Sequence, residues 1–202
     1  MAGGAGPTKR VSRSAPPRRN AAARILDAAA AQARELGAAA VSLQDVADRA
    51  RVSKGLIHYH FHDRETLLAR LAEWLADAVV ARERAALADA TPHGAIDRLW
   101  EWLDGELTRG DIRLLAELGR EPGDAVQRAV REAAIHRRAA AAATAERLFA
   151  LLGLRPRVAP PMLADVLLPF VDGLALDRTL APERQRRVAF DILWLALLGL
   201  AD

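Results

Sequence analysis

Between Ser42 and Leu68 the chain reads SLQDVADRARVSKGLIHYHFHDRETLL, and no other stretch narrows the possible fold as much. Ser42 is a helix N-cap with Asp45 three residues on, an acidic form of the capping box, so a short helix starts there. Leu43, Val46, Ala47 and Ala50 recur at helical spacing and give this helix an inward face. Ala47 is small where a crossing helix needs close approach. The pattern breaks at Arg51-Val52, with Val52 an apolar plug between two helices and Ser53 the cap of the next. Leu56, Ile57, His60, Phe61 and part of Tyr59 then bury one side of a very short second helix, leaving Lys54, His58 and the rest of Tyr59 outward. Asp63 caps a longer helix directly afterwards. This is the outline of a helix-turn-helix. Its second helix is too short to be stable alone, so its outward face either has a use or is merely solvated.

The use that fits is entry into a DNA major groove, where early residues of the second helix meet base edges and its flanks meet phosphates. Lys54 can donate to guanine O6 or N7, Gln44 can pair with adenine, and His58 can reach a base or a phosphate. Ser42, Tyr59, His60 and Arg64 suit phosphate oxygens, helped by the free amides of the helix N-termini at Ser42 and Asp63. The competing reading is a helical hairpin with a polar outer face.

The residues Gly37, Val41-Ser42, Val46-Ala47, Val52-Ser53-Lys54-Gly55, Ile57-His58-Tyr59-His60-Phe61, Arg64 and Leu67 together resemble the DNA-binding domain of the TetR family of transcriptional regulators. The resemblance runs from about Arg24 to Leu71. The candidate DNA-contacting set is Ser42, Gln44, Ser53, Lys54, Gly55, His58, Tyr59, His60 and Arg64. Three positions depart from the family pattern: Arg51 stands where glycine is usual, His58 where tyrosine is usual, and Ala33 where an aromatic is frequent. If the Arg51 turn is left-handed, a non-glycine residue there costs on the order of 1 kcal/mol.

With 202 residues, half of them apolar, the chain can bury one or two small cores. It holds no cysteine, which removes disulfides and thiolate zinc sites and fits a reducing cytoplasm. No apolar run reaches membrane-spanning length, and the N-terminus is basic without an apolar signal core, so a cytoplasmic protein without a membrane partner is expected. The net charge of +3 is uneven, since residues 1–20 hold Lys9, Arg10, Arg13, Arg18 and Arg19 and no acid. The body is therefore mildly acidic. Residues 1–19 read as a disordered basic arm that either adds phosphate or minor-groove contacts or is a solvated tail.

Asn20 can cap a first helix with the stripe Ile25, Leu26, Ala29, Ala33 and Leu36, ended by Gly37. This helix packs behind the helix-turn-helix, and residues 20–66 form the expected DNA-binding domain. Residues 67–202 form the expected C-terminal domain for ligand binding and dimerisation. There the helix capped by Asp63 runs to about Ala88 on the stripe Leu67, Leu68, Leu71, Trp74, Leu75, Ala78 and Val79. Ile96, Leu99, Trp100, Leu103 and Leu107 mark the next helix, with Trp102 off the stripe. A short helix follows through Leu114, Leu115 and Leu118, then a long one from Asp124 to Leu152 whose apolar face contains or adjoins His136 and Arg137. Two last helices run from about Pro161 to Leu180 and from Pro182 to Leu200. The second is apolar nearly all round from Val188, so it must be covered on both sides, and a second copy of the chain would do so. The fold class is thus all-α. The family resemblance implies the same dimer, through a four-helix bundle of the last two helices with Gly173 allowing close approach. Two recognition helices about 34 Å apart would then read a palindromic operator in double-stranded DNA.

The resemblance also implies a small molecule bound inside the C-terminal bundle, an effector whose identity the sequence does not give. Trp102, His136 and Arg137, the off-pattern residues, are the candidate ligand contacts. An internal hydrogen bond, or an arginine reaching to solvent, is the competing explanation. His58, His60 and His62 alternate, but only His58 and His62 share a helical face and no third metal ligand is evident. No nucleophile elbow, phosphate loop or dinucleotide motif occurs, so neither an enzyme nor a cofactor is expected. A DNA-binding repressor released by its effector is the leading expectation. An activator or a ligand-independent regulator of the same fold is the alternative.

Overall fold

The computed structural model describes residues 19–177 and 183–202, and among them the chain is all-α. Of the basic arm only Arg19 falls within the described residues, where it opens α1 (Arg19–Leu36). Asn20 therefore lies inside the first turn and is not the cap expected of it, because a capping residue needs extended backbone and this one is already helical. Ile25, Ala29 and Ala33 of α1 are buried, but Leu36 is 65% exposed. It is the last residue before Gly37, whose φ of 89° turns the chain off the packed face.

A short 3-10 turn, Ala38–Ala40, leads to α2 (Leu43–Ala50) and α3 (Lys54–Phe61). Both caps form as the sequence implies: Ser42 Oγ accepts from the Asp45 amide at 3.1 Å and Ser53 Oγ from the Leu56 amide at 3.2 Å. Between the helices Arg51 is left-handed, with φ 54° and ψ 50°. Such a conformation disfavours a residue with a Cβ by about 1 kcal/mol. Asp63 caps α4 (Arg64–Ala86) by accepting from the Thr66 amide at 2.7 Å, and this bond holds its carboxyl below the usual range. The remaining helices are α5 (Ala95–Arg109), α6 (Asp111–Leu118), α7 (Asp124–Leu151), α8 (Pro160–Leu176) and α9 (Glu183–Leu198). The helix end expected at Leu180 and the helix start expected at Pro182 lie outside the described residues.

Two apolar cores share α4. The first joins Ile25, Val46, Ile57, Phe61, Leu67, Leu71 and Leu75 to Leu114, Leu115 and Leu118 of α6 and to Val126 and Ala129 of α7. The second, from Val79 onward, joins α5, the rest of α7, α8 and α9 through Leu103, Phe149, Leu163, Phe190 and Trp194. The helix-turn-helix thus packs continuously against α6 and α7. With 23 residues, α4 is about 34 Å long and passes from one core to the other.

Polar staples reinforce the joint. Asp111, at the start of α6 and 1% exposed, accepts from Arg34 Nε of α1 and Arg82 Nη2 of α4, both at 2.7 Å. Arg82 also donates to the buried Glu106 of α5 at 2.8 Å. Glu65 of α4 accepts from the Ala125 amide at the start of α7 at 2.8 Å. At the far end, Arg155 and Asp202 exchange backbone hydrogen bonds at 3.0 Å, tying the end of α9 to the loop before α8.

Candidate nucleic-acid interface and the cavity behind it

Ile57 and Phe61 anchor α3 in the first core, and that anchoring decides which side chains face out. Lys54, Gly55, His58 and Tyr59 are all exposed, Tyr59 at 70%. Spaced at i, i+1, i+4 and i+5, they share one helical face. Lys54 is the single lysine after residue 9. Gly55 has no Cβ, so a phosphate backbone can come close to the start of α3. Ser53 accepts the cap bond and keeps its hydroxyl hydrogen for another acceptor. Tyr59 stands edge-on to the half-buried His60, with ring centroids 5.2 Å apart.

His58 and His62 lock each other through backbone carbonyls. His58 Nδ1 donates to His62 O at 2.6 Å and His62 Nδ1 to His58 O at 2.9 Å. Because each partner is a carbonyl, the proton sits on Nδ1, and Nε2 of His58 is the atom left for a base or phosphate.

On α2 the expected contacts are less free. The Ser42 hydroxyl is committed to the capping box, since it also donates to Asp45 Oδ2 at 2.6 Å. What remains there for an anion is the set of amides at the helix start. Gln44 is exposed, with Nε2 donating to the Asp48 carboxylate at 3.1 Å, so pairing with a base requires that bond to exchange.

Arg64 is also less free than expected. Its Nε donates to Val41 O at 2.8 Å, and its Nη2 donates to Ala38 O at 3.0 Å, to Ala39 O at 3.1 Å and to Glu121 at 2.9 Å. A guanidinium fork engaged by three carbonyls and a carboxylate clamps the turn before α2 to the segment between α6 and α7. Arg64 thus acts as a joint between these segments through Nε and Nη2.

Behind this surface the second core holds a partly open cavity of about 60 Å³ between α4, α5, α7, α8 and α9, lined among others by Val79, Glu83, Trp102, Arg137, Thr144 and Trp194. Trp102 and Arg137 therefore sit in the wall, as their off-pattern positions suggested. His136 does not. It faces Asp77 at 3.2 Å in a separate surface depression with Glu73 and Glu132. The roughly 100° between consecutive helical residues puts it outside while Arg137 points in.

Arg137 donates to Asp172 at 2.7 Å. Glu83 is 6% exposed, and burial pushes its carboxyl up against the opposing pull of the Thr144 hydrogen bond and the Arg137 charge. Neither Trp102 Nε1 nor Trp194 Nε1 has a hydrogen-bond partner. Glu83 and Thr144 went unnoticed in the sequence, although Glu83 continues the spacing of Leu71, Leu75 and Val79.

Residues 25–71 match the family of bacterial regulatory proteins designated tetR. No curated protein matches the chain. Among solved structures, a transcriptional regulator from Rhodococcus sp. Rha1 is 25% identical and covers 90% of this chain and 97% of its own, with a TM-score of 0.70. A TetR-family transcriptional regulator from Rhodococcus sp., named putative, is 21% identical, covers 90% and 98%, and has a TM-score of 0.71. A TetR transcription regulator from Haloarcula marismortui is 18% identical, covers 91% and 100%, and has a TM-score of 0.71. These likenesses show a shared fold over about nine-tenths of this chain.

Proposed function

We propose that this chain, whose residues 25–71 match the TetR family of bacterial regulatory proteins, is a DNA-binding regulator of transcription, a homodimeric repressor released from a palindromic operator by a small molecule. Residues 20–66 present the DNA-reading surface, with Lys54, Gly55, His58 and Tyr59 at base edges. Ser42, Gln44, Ser53 and His60 lie at its margins. Residues 67–202 supply the partner surface and the effector cavity.

One observation carries this reading. A single helix, α4, starts beside the recognition helix at Arg64 and lines the cavity through Val79, Val80 and Glu83. The fifteen-residue separation of Arg64 and Val79 amounts to about 22 Å of rigid rod. The cavity, at about 60 Å³, holds a few waters at most. An effector larger than that binds only a state in which α4, α5, α7, α8 and α9 have moved apart, and moving α4 re-aims α3. The effector thus favours a population of dimers whose recognition helices no longer match the half-site spacing.

The partner surface follows from what α8 and α9 leave uncovered. Met162, Val166, Pro169, Gly173 and Leu176 are exposed along α8, and Val188, Ile192 and Leu195 along α9, with Gly199 just past its end. Steps of four and three residues alternate along both stripes, the period of a helical seam. Two copies brought together on these stripes form a four-helix bundle. An apolar surface of this kind is not left in water without reason.

Gel-shift titration against the DNA upstream of the chain's own gene, with selection from random duplexes, tests the reading. A palindrome bound by two copies is expected. Ile192→Glu with Leu195→Glu should give a folded monomer by light scattering that no longer binds the palindrome. A monomeric wild type at micromolar concentration, or no preference among duplexes, would refute the proposal.

A further inference from the structure

The cavity wall carries a chemical instruction about what enters it, and the inference drawn from it rests on the effector reading above. The wall is mostly apolar, with Val79, Leu99, Leu103 and Phe170 among its residues, and its charges are already answered. The Arg137 guanidinium meets Asp172 at 2.7 Å. The Glu83 carboxyl takes a hydrogen bond from Thr144 and feels the Arg137 charge. What is unanswered is a pair of donors on lining residues, the indole N–H groups of Trp102 and Trp194, which in this closed state are shut off from the cavity space and have no acceptor.

Trp194 is 3% exposed and held by tilted aromatic contacts, its ring 6.1 Å from Phe190, which in turn lies 5.3 Å from Trp100. A fixed, dry donor without an acceptor favours a guest that brings one. We propose that the effector is a neutral, largely apolar molecule bearing a carbonyl or ether oxygen that accepts from the indole N–H groups of Trp102 and Trp194. A carboxylate would enter beside Glu83, and the cation among the described lining residues, Arg137, is already paired with Asp172. An ammonium would face two N–H dipoles by their positive ends, together with the Arg137 guanidinium. A bare hydrocarbon would leave both donors unpaired.

Four probes of one size separate these chemistries by calorimetric titration of the full-length protein at neutral pH: acetophenone, ethylbenzene, benzylamine and benzoate. Acetophenone should bind about tenfold more tightly than ethylbenzene, the worth of one well-made hydrogen bond. Benzylamine and benzoate should bind more weakly than either. In the Trp102→Phe, Trp194→Phe double variant, which keeps the aromatic packing, acetophenone should fall to the ethylbenzene level while ethylbenzene is unchanged.

Equal binding of acetophenone and ethylbenzene overturns the inference, as does tighter binding of the amine or the carboxylate, or a ketone preference that survives in the double variant. Each of those results leaves the effector cavity itself in place, because a probe still binds there. If no probe binds and none alters the gel shift, the inference falls together with the effector reading beneath it.

Discussion

The joint beneath the DNA-reading head and the cavity in the body both bury charge among apolar helices, and they treat it in opposite ways. At the joint, Asp111 and Glu106 are each 1% exposed, and both are met by arginine forks: Arg34 and Arg82 on Asp111, and Arg82 on Glu106. In the cavity, Glu83 is desolvated and two indole donors lie unpaired. A buried charge with its full set of partners fixes one geometry, whereas buried polar groups lacking partners leave binding capacity for something else. The joint holds one geometry, whereas the cavity keeps two donors unanswered.

The sharpest test of that contrast is Asp111→Ala. It removes the carboxylate that α1 and α4 share and leaves two guanidiniums under-paired. Breaking one side of a buried ion pair costs about 3 kcal/mol at the lower end of its range, and the lower end applies because Arg34 and Arg82 keep 28% and 33% of their side-chain exposure. Urea denaturation followed by circular dichroism measures it. A loss within a few tenths of a kcal/mol of zero would make the joint an ordinary solvated cluster.

Gly123→Ala comes next. A Cβ there would fall 2.6 Å from the Glu65 carboxyl carbon, and the glycine φ is 117°, where residues with side chains are strained. A loss of about 2 kcal/mol is expected. Glu65→Ala breaks the same contact with the α7 amide, so the two losses should not add in a double-mutant cycle. Additive losses would separate the strain at Gly123 from the staple made by Glu65.

Arg64→Ala should cost less, about 1 kcal/mol, because the side chain keeps 35% exposure and water replaces part of what it loses. The salt dependence of DNA binding should stay as in wild type wherever the variant is folded. A slope lowered by about one would return Arg64 to the phosphate role that its neighbourhood in the sequence suggested.

Arg64 marks where the sequence stops being legible. The helix-turn-helix could be read because its instructions are local: Ser42 with Asp45, Ser53 with Leu56 and Asp63 with Thr66 each lie three residues apart. The acceptors of Arg64 lie 23 to 57 residues away, and three of the four are backbone carbonyls, which no side-chain pattern announces. The cavity was half legible for a related reason. Trp102 and Arg137 stood out as polar or bulky groups against their stripes, but Glu83 did not, because a stripe followed through apolar residues alone stops at Val79. His136 shows the limit of the same approach, since one step along a helix moves a side chain from inside to outside.

The smallest effect, read as a slope more than an offset, belongs to Glu83→Gln. Burial raises the folded-state pKa of Glu83 above its ordinary value of 4.5, with repulsion from Glu106 adding to it and Thr144, Arg137 and Arg84 opposing. A carboxyl whose folded pKa is raised binds more protons folded than unfolded, so it lowers stability as pH climbs from the ordinary carboxylate range through the folded pKa. Glutamine removes that titration. The variant should match wild type most closely in acid and gain on it steadily toward neutral pH, as measured by thermal unfolding at a series of pH values. The opposite slope, with wild type gaining as pH rises, would mean that Arg137 and Thr144 outweigh the burial. Glu83 would then be as fully partnered as Asp111, and the contrast between joint and cavity would rest on the two indoles alone.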